Sequence, residues 1–402
     1  NRGLPLRINH KIPENQEGLE LSEAEAKELA LNTILKYYNL TDNSLELISA
    51  EPSKRPERTD WEFIFKDIAP NKFYDGDKRI RVLINGDNIK THEKFIFVPE
   101  EWERDERDQR AILDVASNSM SLLLNILVMT AVVLGIIYWT NNKITTMLVL
   151  YIFSPLLIIR IVSFINQLPS LIASFSTAQP YNNQLGVLIA GTIVGGLFIS
   201  MIPSILVASS HFQINEQKKN KEKPGLLEGI LIGIGLSGVF AMTNTLQPSL
   251  SPEWPNLFNG ASSVPFLSIL NNLGGFLASA GFTTFIVLFI SKKTKSWTVK
   301  KGLFSMLFIF FGLIIIGSNN ITGIGGWILS GIIVGILFRW IYISTLRYNP
   351  KVTIFIISSL TIINLISEIT TPSFPGAGLG SSLTIISIIA LNYCWVRFSA
   401  KI

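Results

Sequence analysis

What constrains this chain most is its second part. Nine apolar runs follow one another after Asn118, at about 119–140, 144–166, 186–209, 226–246, 266–290, 303–318, 321–344, 352–368 and 379–397. Each approaches the roughly 20 residues that a helix needs to cross a bilayer, although the sixth and eighth are short. The loops between them alternate in charge. Those after odd-numbered runs hold Lys143, then Lys218, Lys219, Lys221 and Lys223, then Lys292, Lys293, Lys295, Lys300 and Lys301, then Arg347 and Lys351, and finally Lys401. Those after even-numbered runs hold no lysine or arginine. Basic loops stay on the cytoplasmic side. The pattern therefore predicts a cytoplasmic C-terminus and places everything before the first run outside.

Charge divides the chain at the same place. Residues 1–119 carry 18 Lys+Arg and 24 Asp+Glu, whereas residues 120–402 carry 16 and 5. The net charge of +5 averages an acidic part and a basic part, so it is no argument for a nucleic-acid partner. The single cysteine, Cys394, excludes an intramolecular disulfide and a cysteine-based zinc cluster. The three histidines, His10, His92 and His211, are scattered, so neither a metal nor another cofactor is expected. Asn1 opens the chain with no methionine, signal peptide or leading apolar helix, which reads as a processed or incomplete product.

The polar part, residues 1–98, reads as an α+β domain. Leu4, Leu6, Ile8, His10 and Ile12 alternate with polar residues as in a half-buried strand that ends at Pro13. Ser22 and Glu25 form a capping box for a helix over about 22–38, with Ala26, Leu29, Ala30 and Ile34 on one face. Strands follow at Leu45–Ala50, around Trp61, Phe63 and Phe65, and around Ile80, Val82 and Ile84. Asn85-Gly86-Asp87 then turns the chain, because a primed hairpin turn needs positive φ. The return strand, about Ile89 to Val98, is expected to turn Phe95 and Phe97 inward.

Residues 99–118 are densely charged. Pro99, Glu100 and Glu101 suit the first turn of a helix that runs into the first span. Arg104, Arg107 and Arg110 at helical spacings make ion pairing the expected use of this stretch. The expected domains are thus 1–98, a linker helix 99–118, and an all-α polytopic bundle of about nine transmembrane helices over 119–402.

HKIPE, LSEAEAKELA, SAEPSKRPERTDWEFIF, RIRVLINGD and FVPEEWER occur in that order, and SFSTAQPYNNQ and PSFPGAGLG follow later. Together they resemble a PepSY-like extracytoplasmic module and the bacterial inner-membrane proteins of the CPBP (CAAX-protease-like) family that carry it. The resemblance implies intramembrane proteolysis by a glutamate pair followed by arginine, an aromatic-to-histidine motif and a histidine-to-asparagine motif. This chain departs from that set. Its only Glu-Glu pair is Glu100-Glu101 in the junction, with Asp105 where the arginine should stand. His211 with Asn215 fits the spacing of the last motif, at a cytoplasmic helix end. No HExxH motif, nucleophile elbow, phosphate loop or dinucleotide fingerprint is present.

Charges inside a span cost about 2.5–3.5 kcal/mol at a helix centre on insertion scales, so each is a candidate site. Arg160, deep in the second run, and Glu368, at the outer end of the eighth, are the binding candidates and are expected to pair, carbonyls of the loop 167–185 being the alternative. Glu228, His211 and Asn215 are the catalytic candidates. Arg339 and Arg397 lie near cytoplasmic ends, where they can snorkel. Small residues in the third run (Gly191, Gly195, Gly196), the fifth (Gly274, Gly275, Ala278, Gly281) and the seventh (Gly326, Ser330, Gly331) predict that these three spans meet at the centre. The neutral outer loops read either as interfacial or as partly re-entrant segments roofing a cavity.

The reading that absorbs most of this is a non-catalytic polytopic membrane protein that senses, binds or joins a complex. Its partners are the lipid bilayer and a membrane-protein or peptide partner of the outer domain. An active protease with unconventional or missing residues and a transporter-like binder are the alternatives.

Overall fold

The computed structural model describes residues 7–38, 40–69, 76–216, 225–247, 256–319 and 321–400. They fall into two compact units. One takes the residues up to Arg110 together with Phe175–Gln184, and the other takes Ala111–Ser174 and the residues from Leu185 onward.

The first unit is a helix on an antiparallel sheet. Strands β1 (Arg7–Asn9), β2 (Leu45–Lys54), β3 (Thr59–Asp67), β4 (Asp77–Asn85) and β5 (Asn88–Phe97) are ordered β1-β5-β4-β3-β2. Helix α1 (Glu23–Tyr38) begins at the expected box. Ser22 N and Oγ both donate to Glu25 Oε2, at 2.8 and 2.6 Å. Ala26, Ala30 and Ile34 bury completely against Phe63, Phe65, Ile80, Val82 and Ile84. Burying each of the larger side chains contributes about 1.5–3 kcal/mol. Pro52 is tolerated because β2 is an edge strand, where a missing N–H breaks no ladder. Two-residue pairing at Asn85↔Asn88 closes the hairpin, with Gly86 at φ +60° in the first central position, as a II′ turn requires.

The return strand corrects one expectation. Leu83 pairs with Thr91 but Ile84 pairs with Ile89, so Lys90 is an extra residue on β5. A one-residue bulge moves every later side chain to the other face. His92 therefore turns toward α1. Phe95 and Phe97 lie on the far face, where Arg81 and Arg79 stack on their rings at 5.0 and 3.4 Å. That face is otherwise an ion-pair ladder: Arg81 meets Glu62 and Glu93 at 3.0 and 3.1 Å, and Asp77 meets Lys66 and Arg79 at 2.8 and 3.3 Å.

The second unit is all-helical. Helix α2 (Glu100–Thr140), whose first turns belong to the first unit, supplies the first apolar run. It is followed by α3 (Thr146–Ala173), α4 (Tyr181–Glu216), α5 (Leu226–Leu246), the single turn α6 (Leu257–Gly260), α7 (Asn272–Lys293), α8 (Lys301–Gly317), α9 (Ile324–Ile341), α10 (Thr353–Thr370) and α11 (Ala377–Ala400). Tight 3-10 turns at Pro265–Asn271 and Pro350–Val352 lead into α7 and α10, and a wide π turn, Tyr342–Leu346, closes α9. Among the described residues eight helices are long and apolar enough to cross a membrane, and α8, at 17 residues, is a shorter apolar ninth.

Helix α7 is the most buried of these. Its Gly281 lies against the backbone of Leu206 and Val207 on α4. Helices α8 and α9 pack most closely, since Gly312 faces the backbone of Gly331 and Gly335 with no room for a Cβ. Gly281 of the fifth run and Gly326 and Gly331 of the seventh thus lie in helix contacts, whereas Gly275 does not. The glycines of the third run do not either: among the described residues, a Cβ added at Gly191, Gly195 or Gly196 of α4 would meet nothing within 4 Å. Expected at the bundle centre, that glycine stripe instead faces away from the chain, while α4 makes its buried contacts further on, through Ile205, Leu206 and Ala208.

The segment before α7 is bound by side-chain and backbone groups of α3. Val264 N donates to Asn166 Oδ1 at 2.6 Å, Ser263 N to Asn166 O at 2.9 Å, and Ser170 Oγ to Phe258 O at 2.7 Å. Polar residues within an apolar span are thereby spent on the backbone of a neighbouring loop.

Candidate binding cavity

Helices α2, α4, α5, α7, α8, α9 and α10 line a partly open cavity of about 650 Å³. Its origin lies in where small and large residues fall. The glycine contact between α8 and α9 draws these two helices together, and Phe304, Phe308 and Phe311, at helical spacing on α8, line the cavity with Phe338 of α9. On α7, Ala278, Ser279 and Thr283 line it with small side chains that leave the space unfilled. At the α9 end, Trp297, Phe308 and Tyr342 cluster with centroids 5.4–6.2 Å apart, and Tyr342 Oη meets Ser291 Oγ at 3.0 Å.

Of the six polar residues in the walls, Tyr342, Thr353 and Thr361 are satisfied within the protein. Thr353 Oγ1 donates to Pro350 O at 2.8 Å and Thr361 Oγ1 to Ile357 O at 2.9 Å. Among the described residues, Ser279, Thr283 and Asn364 keep polar side-chain groups without a partner. A mainly apolar cleft or cavity of about 300–1,000 Å³ with a few free polar groups is the usual form of a small-ligand site.

The residues singled out by sequence are not gathered here. Arg160 Nη1 donates to Asn271 Oδ1 at 3.4 Å, on the segment leading into α7. Glu368 is not its counter-charge. Glu368 Oε1 accepts from Ser373 N and Oγ at 2.8 and 2.6 Å, closing the turn after α10. Glu228, in the first turn of α5, accepts from Thr345 Oγ1 at 2.8 Å, which ties α5 to the π turn. No hydrogen bond or ion pair joins it to His211 among the described residues. His211 lies on α4 beside Phe212, whose ring packs on Tyr138. Of Asn215 only the backbone is described, in the last turn of α4; its side chain lies outside the described residues. No group of three or more His, Cys, Asp or Glu that could hold a metal occurs among the described residues.

Sequence reasoning missed the cavity because its walls are ordinary apolar residues. The signal available was the meeting of a phenylalanine stripe at 304, 308 and 311 with the small residues 278, 279 and 283, which only the packing brings face to face.

The fold and the cavity define a class: an integral, multi-span membrane protein with a small N-terminal antiparallel-sheet domain. Comparison with protein-family models, curated proteins and solved structures returns no match to the chain.

Proposed function

We propose that this chain is a non-catalytic, membrane-embedded binding protein whose bundle takes up a lipid-class molecule with an apolar chain. The observation that carries the reading is the 650 Å³ cavity, walled by phenylalanine, leucine and isoleucine with free polar groups at Ser279, Thr283 and Asn364. Apolar walls favour an apolar body, and the few polar groups fix one end of it. The alternating basic loops support an outer position for the sheet domain and a cytoplasmic C-terminus. The resemblance to PepSY-like modules supports a bacterial inner membrane and a sensing or partner-binding role for that domain.

The test is native mass spectrometry of the full-length protein released from mild detergent. The wild type is expected to retain a lipid adduct. Ser279→Trp and Thr283→Trp, which fill the cavity from α7, are expected to lose it while eluting as the same monodisperse species. Glu228→Gln and His211→Ala, outside the cavity walls, are expected to keep it. An adduct unchanged in both tryptophan variants would overturn the reading.

A further inference from the structure

Arg160 is a cation that the fold leaves under-compensated. It follows Thr146 by 14 residues, about 21 Å along the helix, inside the run LVLYIFSPLLIIRIVSFI. Its guanidinium stays charged and carries five N–H donors. Among the described residues it makes one hydrogen bond, the 3.4 Å contact with Asn271, and no ion pair. That acceptor also takes Ser163 Oγ at 2.9 Å. Glu368 is engaged with Ser373.

The α7 backbone comes close to the guanidinium at a glycine. A Cβ on Gly274 would come 3.6 Å from Arg160 Nη2 and 4.0 Å from Leu156 Cδ2, ordinary contact distances, so the glycine leaves room for about one methyl group there. On α3 the flanking Ile158, Ile161 and Ile165 are 61%, 50% and 58% exposed, the kind of surface that a membrane helix turns to lipid. The seam between α3 and α7 therefore joins an open apolar face to four unused donors.

We infer that this seam is a headgroup site for an anionic phospholipid, with the Arg160 fork on its phosphate oxygens. The occupant is a lipid rather than a soluble anion because isoleucines border the approach. An arginine held inside a span also draws headgroups and water toward itself by thinning the bilayer locally. The site is independent of the cavity, whose walls include no residue of α3.

The experiment uses the delipidated full-length protein and native mass spectrometry with added phosphatidylglycerol or phosphatidylcholine. One basic residue is worth about 1 kcal/mol toward anionic lipid, so the wild type should bind phosphatidylglycerol about fivefold more tightly. Arg160→Gln should remove the preference and Arg160→Lys should keep part of it. Gly274→Leu, which fills the notch and leaves the charge, should remove it too and serves where the glutamine variant fails to fold. Equal binding of the two lipids by the wild type would overturn the site. So would an unchanged preference in folded Arg160→Gln or Gly274→Leu, or displacement of the lipid by millimolar inorganic phosphate alone.

Discussion

Arg58 carries its charge into a site where its side chain is 1% exposed. It is answered there by Asp60 Oδ1 at 2.8 Å from Nε, while Nη1 donates to Pro13 O at 2.8 Å and Gln16 O at 2.6 Å. One residue thus fastens the loop after β1 onto the start of β3. Breaking a buried pair from one side strands the other charge, at about 3–5 kcal/mol. Arg58→Met is expected to cost that much, reduced by the 3.3 Å contact that Asp60 keeps with Arg55. Hydrogen exchange of β3 amides in the full-length protein measures it. His92 offers a second test. It is 1% exposed, stacks on Tyr37 at 4.5 Å and shares a 2.8 Å hydrogen bond with Tyr38. Burial holds its imidazole below the usual histidine range, and burial with the charge of Glu93 pushes Tyr38 up to about 12. The unfolded chain therefore takes up the His92 proton first, and stability falls as pH drops below about 6.5. Glu25, held low by Ser22, and Asp77, held low by Lys66 and then Arg79, lose their contribution only at about pH 4 and below. His92→Gln should flatten the unfolding profile between pH 7 and 5 and leave the acid limb in place. Neither residue was legible as special in the sequence. Arg58 sits in the charged run SKRPERTD, where a solvated rim is the natural reading, and His92 faces the core only because Lys90 is bulged.

At the scale of elements, the α8–α9 contact makes a sharp prediction. A side chain at Gly312 must push against the backbone of Gly331 and Gly335, and one at Gly335 would meet Ile309 Cα at 2.5 Å. Overpacking of this kind costs about 1–3 kcal/mol or more. Gly312→Leu and Gly335→Val should lower the midpoint of thermal unfolding in detergent and part the two helices. Gly191→Ala should be neutral or slightly stabilising, because its position is open and alanine is the better helix former by about 1 kcal/mol. Equal effects at 191 and 312 would mean that α8 and α9 do not meet through glycine. The elements themselves were largely legible. Alternation marked β3 and β4, the Ser22–Glu25 box marked α1, and hydropathy marked every long helix. What stayed hidden is pairwise. Small residues announce that backbones can approach, but not which neighbour arrives, so the stripes of α4 and α9 look alike in sequence and end in open space and in a tight contact respectively.

At the scale of the whole molecule, the proposed orientation rests on loop charge and is open to direct measurement. Cysteines placed at Ser53 and at Lys295, both exposed, should label differently in intact cells. An impermeant maleimide should modify the first, and should reach the second only after the membrane is opened. Labelling of position 295 from outside would reverse the topology. The two-part architecture was visible from composition alone, since charge all but disappears from the apolar runs after Asn118. The division of the chain into units was less visible, because Phe175–Gln184 belongs with the sheet unit although two membrane-length helices separate it in sequence.

That late segment has a consequence for how the protein is made. Lys11 Nζ donates to Phe175 O at 2.8 Å, and Glu14 N to Thr177 O at 3.4 Å. At about 5–20 residues per second, the roughly 65 residues between Arg110 and Phe175 impose a delay on the order of 3–13 s. Throughout that interval the strands and α1 have everything they need, whereas the loop at 11–14, held by Arg58 at Pro13, still lacks the acceptors of Lys11 Nζ and Glu14 N. A ribosome stalled between those two points would therefore hold a sheet unit with a closed core and an open edge. Chains arrested before residue 175 should be nicked by protease near Lys11, and chains arrested well beyond residue 184 should resist.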